Sequence, residues 1–202
     1  LNADDCIYYK YIVMGFNHPD VFDILSKIDS NKLLLIDSKP AFKNVKNYVF
    51  QDFGQAFYSC LEKALHLFKK YEVLDFVYPE FTHHPPESIE FFKKFCNNYN
   101  FKCTISNNSK KFEVKKNTAY ITVNDRMLHE ILNQCSKSNF ELGKEVGVLS
   151  YNDTPLKKFT YKGVSVISID FKEFGAKVAG FINSSQTLKI HLETKLIIRD
   201  SL

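Results

Sequence analysis

"AYITVNDRMLHEILNQCSKSNFELGKEVGVLSYND", residues 119–153, contains two apolar runs, each closing on Asn-Asp, with a stretch of different period between them. The runs around Ile121 and Val148 are short and nearly continuous in β-favouring residues. Between them Met127, Leu128, Ile131, Leu132 and Cys135 recur at helical spacing. Strands that are apolar throughout and are separated by helices indicate parallel sheets buried on both faces. The fold class this predicts is α/β.

The alternation extends in both directions. Upstream, "YKYIVMGF" reads as a strand, "PDVFDILSKI" as a helix through Val21, Leu25 and Ile28, and "KLLLIDS" and "NYVFQDF" as further strands. Phe57, Cys60, Leu61, Ala64, Leu65 and Phe68 then mark one long helix. After the strand "VLDFVYPE", Pro85-Pro86 introduces a helix with Ile89, Phe92, Phe95, Cys96 and Tyr99 on its apolar side. "FKCTIS" is a strand and the polar "NNSKKFEVKKN" a surface loop. Downstream come the strand "VSVISIDF", a helix around Phe174 to Ile182, and a closing strand "TKLIIRDSL".

Composition narrows the function. The chain has 202 residues and a formal net charge of +4, spread along its length in short lysine pairs such as Lys93-Lys94 and Lys115-Lys116. A nucleic-acid groove needs denser basic residues with interleaved aromatics, so these residues do not predict direct nucleic-acid binding. No apolar run is long enough to span a membrane, and the first residues lack the features of a signal peptide. The five cysteines form no C-x-x-C pair, which disfavours a disulfide framework and a zinc site and fits a reducing, cytoplasmic compartment. The seven glycines never approach a phosphate-loop spacing, so no nucleotide cofactor is expected.

In an open parallel sheet ligands bind beyond the carboxyl ends of the strands. The residues there are Phe16-Asn17-His18, Asp37-Ser38, Gln51-Asp52, Tyr78-Pro79-Glu80, Asn124-Asp125, Tyr151-Asn152-Asp153 and Asp170-Phe171. Carboxylates accept hydroxyl protons, amides donate and accept, and aromatic rings cover the C–H face of a sugar, so the series suits a polyhydroxylated ligand. Any single Asp or Asn there also serves as a helix cap. Asp125, directly before the helix through Met127, is the expected cap, leaving Asn124 to face the ligand.

The order of these motifs resembles the effector-binding domain of LacI/GalR-type transcription regulators, which shares the fold of periplasmic sugar-binding proteins. The resemblance is most specific in "AYITVND", in "GKEVGVLSYNDTPL", in "GVSVISIDFKEFGAKVAGFI" and in the closing "LIIRDSL". "SYNDTPLKKF" is similar to hybrid regulators that join a GntR-type winged helix to a LacI-like sensor. The resemblance implies two lobes of parallel sheet flanked by helices, joined by three crossings, with the ligand between them. Residues 1–72 and 163–185 are expected in the first lobe, incomplete at its N-terminus, and 73–162 and 186–202 in the second.

Carried over position by position, Asp37, Asn124 and Asn152 fall on effector contacts and Phe171 on an aromatic near the effector; Phe16 and Tyr151 join them as tip aromatics. Asn152 stands where the family has Asp. The helix "PPESIEFFKKF" departs further, with Glu87 or Ser88 where a pocket arginine is expected. The partners implied are a small effector of carbohydrate type, a second copy of the chain in a homodimer, and DNA reached through a helix-turn-helix domain outside this sequence. A periplasmic sugar-binding protein is the alternative on the same fold.

An enzyme is the rival class. Cys60 with His66 could suggest a nucleophile and base, but Cys60 lies on the apolar stripe of its helix, as a core residue does. His83-His84 lack the spacing of a helical ligand pair. No catalytic residue, metal ligand or cofactor is assigned.

Overall fold

The computed structural model describes residues 8–14, 19–37, 45–107 and 112–202. The chain divides into two compact units, the first made of residues 1–52 and 169–193 and the second of 53–168 and 194–202. Each has its own sheet and its own core.

The second unit is built on a six-stranded sheet in the order β10-β8-β7-β6-β4-β5. β4 (Val73–Val77), β5 (Lys102–Ser106), β6 (Thr118–Thr122), β7 (Val146–Tyr151) and β8 (Ser165–Ser168) run parallel, and β10 (Lys195–Ile197) closes the edge antiparallel to β8. Every residue of β6, β7 and β8 is buried, which explains their continuous apolar character. On one face α2 (Gln55–Lys63), α3 (Leu65–Phe68) and α4 (Glu87–Asn98) pack Phe57, Leu61, Phe68, Phe92 and Phe95 against Leu74 and Phe76. On the other, α5 (Asp125–Lys137) lays Met127, Leu128, Ile131 and Cys135 over Tyr120, Val148 and Val166. Gly147 lets the Tyr71 ring lie on the sheet, for an added Cβ would meet that ring at 2.7 Å.

Among its described residues the first unit has four parallel strands, β1 (Tyr11–Met14), β2 (Leu33–Asp37), β3 (Asn47–Phe50) and β9 (Lys189–His191), in that order. α1 (Pro19–Ser26) buries Leu25 against Leu33 and Leu35 on one face. α7 (Phe171–Ile182) packs Phe181 with Leu34, Val49, Ile169 and Leu192 on the other. β1 is an edge strand whose Ile12 and Met14 are exposed.

The units correct the expected lobe boundaries. Residues 53–72 belong to the second unit because the stripe Phe57–Leu61–Phe68 fills that unit's core. Residues 163–168 also do, because β8 pairs with β7, while 186–193 join the first unit because β9 pairs with β3. The chain therefore changes unit after residues 52, 168 and 193, not after 72, 162 and 185. The single helix expected over 57–68 is two, parted at Ala64. The segment 153–162 carries α6 (Pro155–Phe159), with proline in the helix's first turn where its missing N–H costs nothing.

Candidate functional site

The carboxyl ends of β6 and β7 are adjacent, since Thr122 pairs with Ser150. Both predicted amides, Asn124 and Asn152, therefore stand at one end of the second unit's sheet. Their local chemistry differs from expectation. Asn124, with φ −148° and ψ 158°, is the N-cap of α5, and its Oδ1 accepts the Met127 N–H at 2.9 Å. A cap must keep extended backbone angles while its side chain reaches the third following amide. Asp125, expected in that role, is already helical, and its carboxylate meets Lys157 Nζ at 2.7 Å.

Asn152 has φ 62°, the left-handed region in which asparagine is among the few residues that sit readily. Its neighbours hold it there. The Asn152 N–H donates to the Ile167 carbonyl at 2.8 Å, and the carbonyls of Tyr151 and Asn152 both accept from Lys157 Nζ at 2.8 Å. On the far side Asp153 accepts both arms of the Arg199 guanidinium, at 2.7 and 3.0 Å, and its own N–H donates to Ser168 Oγ. Arg199 also donates to the Val164 carbonyl, and its side chain lies across Gly163, whose φ of 101° and lack of a Cβ leave it room. The closing "RDS" motif thus works from a distance: Arg199 forks onto a strand tip and Ser201 Oγ donates to the Val148 carbonyl.

Tyr151, expected as a tip aromatic, is buried. Only 3% exposed, its ring packs with Phe53, Phe57 and His84 in the unit's core, so its side chain supports the tip from beneath. His84, set aside in the sequence as a poor metal ligand, belongs to the same aromatic group: its ring centroid lies 4.4 Å from that of Tyr151 and 5.0 Å from that of Phe53. Burial away from water disfavours the imidazolium and drives the His84 pKa down to about 3. Ser88, one of the two positions at which the resembling family's arginine is expected, is fully buried and its Oγ donates to the Pro85 carbonyl, so it tightens the first turn of α4. Cys60 is 1% exposed, with its thiol directed at the Thr194 carbonyl, which is the core role expected of it. No group of three or more metal-ligating side chains occurs among the described residues.

In the first unit Asp37 ends β2 with φ 78°, a second left-handed strand tip. Gln51, itself 5% exposed, secures it twice: its Nε2 donates to Asp37 Oδ1 at 2.8 Å and its backbone N–H donates to the Asp37 carbonyl at 3.0 Å. Asp170 caps α7 by accepting the N–H groups of Lys172 and Glu173, which places Phe171, 44% exposed, on the helix's first turn. Phe16 lies outside the described residues.

A family model for the periplasmic binding protein-like domain matches residues 83–202, which carry α4 through β10 and so all of the β6–β7 tip network. That is more than half of the chain. The chain belongs to the periplasmic binding protein-like family. No curated protein sequence matches it significantly. Solved structures share its fold at low identity. The Escherichia coli transcriptional repressor ascG is 15% identical with a TM-score of 0.75, over 98% of this chain and 79% of that one. A probable maltose operon transcriptional repressor of Staphylococcus aureus is 18% identical with a TM-score of 0.71, over 98% and 77%. A LacI-family regulator of Lactobacillus casei with bound glucose is 12% identical with a TM-score of 0.74, over 96% and 78%. Within this periplasmic binding protein-like chain, no described helix is long and apolar enough to cross a membrane.

Proposed function

We propose that the chain is the effector-sensing part of a LacI-type transcription regulator, acting in the cytoplasm as a homodimer. It takes a small hydroxylated ligand, a carbohydrate or carbohydrate derivative, at the carboxyl ends of its parallel strands. Asp37, Asn124, Asn152 and Phe171 are the contacting residues, and DNA is bound by a helix-turn-helix domain outside this sequence. The observation that carries this reading is the pair of left-handed strand tips, Asp37 and Asn152, each fixed by a hydrogen-bonded neighbour. Holding a non-glycine residue at positive φ costs about 1–3 kcal/mol and persists where the surroundings over-determine it, as they do at ligand sites. A carboxylate and an amide whose Oδ1 is buried without a hydrogen-bond partner among the described residues suit hydroxyl groups. The ligand changes DNA binding only through different affinities for two states of the regulator.

A thermal-shift panel of monosaccharides and sugar phosphates tests the reading. At a hundredfold excess over Kd, binding adds about 2.7 kcal/mol, a rise of roughly 5–10 °C for a chain of this size. The combined Asp37→Ala and Asn152→Ala variant should lose that rise. Silence across the panel, or turnover of any member, counts against the proposal.

A further inference from the structure

We propose that Lys157 is a positioning residue for the ligand face of the second unit: its buried ammonium ties the β6 and β7 tips together and holds Asn152 in its left-handed conformation. The side chain is 4% exposed, an environment that penalises a charge by several kcal/mol unless each of its protons finds an acceptor. An ammonium has three N–H donors, and here three acceptors meet it: the Tyr151 carbonyl at 2.8 Å, the Asn152 carbonyl at 2.8 Å and Asp125 Oδ1 at 2.7 Å. The first two decide the argument. In an extended strand successive residues face opposite sides, so the carbonyls of residues 151 and 152 converge on one atom only if the backbone turns between them. The φ of 62° at Asn152 is that turn. Without the ammonium the two carbonyl dipoles face each other uncompensated, and an extended Asn152 becomes the better conformer. The third bond reaches Asp125, one residue past the Asn124 cap, so both strand tips share a single cation. The tie itself is a property of the fold; its consequence for ligand rests on the function proposed above.

The test uses the full chain, labelled for NMR, with Lys157→Met and Asp125→Ala. In Lys157→Met the backbone shifts of Asn152 should leave their left-handed values, and those of its neighbours Tyr151 and Asp153 should move with them. The Asn152 amide, bonded to the Ile167 carbonyl, should exchange about tenfold faster or more, while interior amides of α5 and β6 keep their protection. Affinity for D-glucose, used as the probe, should fall by about tenfold or more through misplacement of the amide. Asp125→Ala should shift Tyr151 and Asn152 less and weaken glucose less. A left-handed, protected Asn152 in Lys157→Met overturns the proposal, as does a loss of protection spread evenly over the unit. If Lys157→Met does not fold, Asp125→Ala decides, since Asp125 is 67% exposed: unchanged shifts at Tyr151 and Asn152 overturn the tie. Should wild type not bind glucose or any sugar of the panel, the proposed function loses its support while the amide measurements still decide the role of Lys157.

Discussion

The two units solve the same problem with different chemistry. Each displays a polar residue in a left-handed turn at a strand's carboxyl end, but the second unit fixes Asn152 with a buried lysine and an Arg199–Asp153 fork, whereas the first fixes Asp37 with one glutamine. Their cores differ in parallel: a large aromatic cluster around Phe57, Phe76 and Phe95 under one sheet, small and mainly aliphatic clusters around Leu34 with Phe181 and around Leu25 on the other. A rigid tip needs rigid support beneath it, and ionic ties are strong only where a packed interior keeps water away. The second unit provides both, which makes it the more tightly tethered of the two.

Core truncation should give the largest effect. Phe57→Ala, removing a fully buried ring, should cost about 3–5 kcal/mol, and Leu34→Ala in the first unit about 2–5 kcal/mol. Separate cores predict that the losses stay separate: in hydrogen exchange, Leu34→Ala should release β2 and β3 amides while β6 and β7 remain protected. A uniform loss would erase the contrast between units.

Next in size is the fork. Asp153→Ala leaves a guanidinium that is 14% exposed without its carboxylate and should cost about 1.5–3 kcal/mol in urea unfolding, whereas Gln51→Ala, removing a neutral donor from a single carboxylate, should cost less, about 0.5–1.5 kcal/mol. Equal costs would contradict the distinction between an ion-pair tether and one with a single charged partner.

Acid should act on the second unit through His84. Its folded pKa of about 3 lies below the ordinary 6.5, so between those values the unfolded chain binds the extra proton. The stability this group contributes is complete above pH 6.5 and is lost as pH falls toward 3. His84→Phe, which keeps a ring against Tyr151 and Phe53, should flatten that part of the pH profile. An unchanged slope would mean that His84 already has a partner for its proton.

The smallest effect concerns backbone alone. Asn152→Ala should cost about 1–2 kcal/mol from the left-handed conformation, and Asn152→Gly far less, since glycine takes positive φ without steric cost. Both should lose ligand equally if the amide is the contact.

Much of this fold is legible in the sequence because apolar periodicity records burial. The β6–α5–β7 segment reads directly, and so does the Cys60 side of the helix over 57–68. What that stripe cannot say is which sheet it covers, and the lobe boundaries went astray for that reason. β9 is not evident from sequence although Leu188, Ile190 and Leu192 alternate through it, because a strand of three residues carries a weak signal. The site is harder to read. Asn and Asp are equally good caps, and only the extended backbone of Asn124 shows which of the two caps α5. Lys157 sits in a Lys-Lys pair that reads as a solvated face; its burial comes from the α6 turn, which five residues do not announce. The Arg199 and Ser201 pattern was visible, but its partners lie in β7 and the residues next to it, beyond the reach of local sequence.

The most direct test of the central claim is a two-dimensional NMR titration of the intact chain with the sugar that gives the largest thermal shift. The account predicts perturbations that cluster at Asp37, Asn124, Asn152 and Phe171 and vanish in the Asp37→Ala, Asn152→Ala variant. Perturbations centred instead on the cavity lined by Cys135, Phe140, Leu142 and Tyr161, at the opposite end of the second unit's strands, would contradict it.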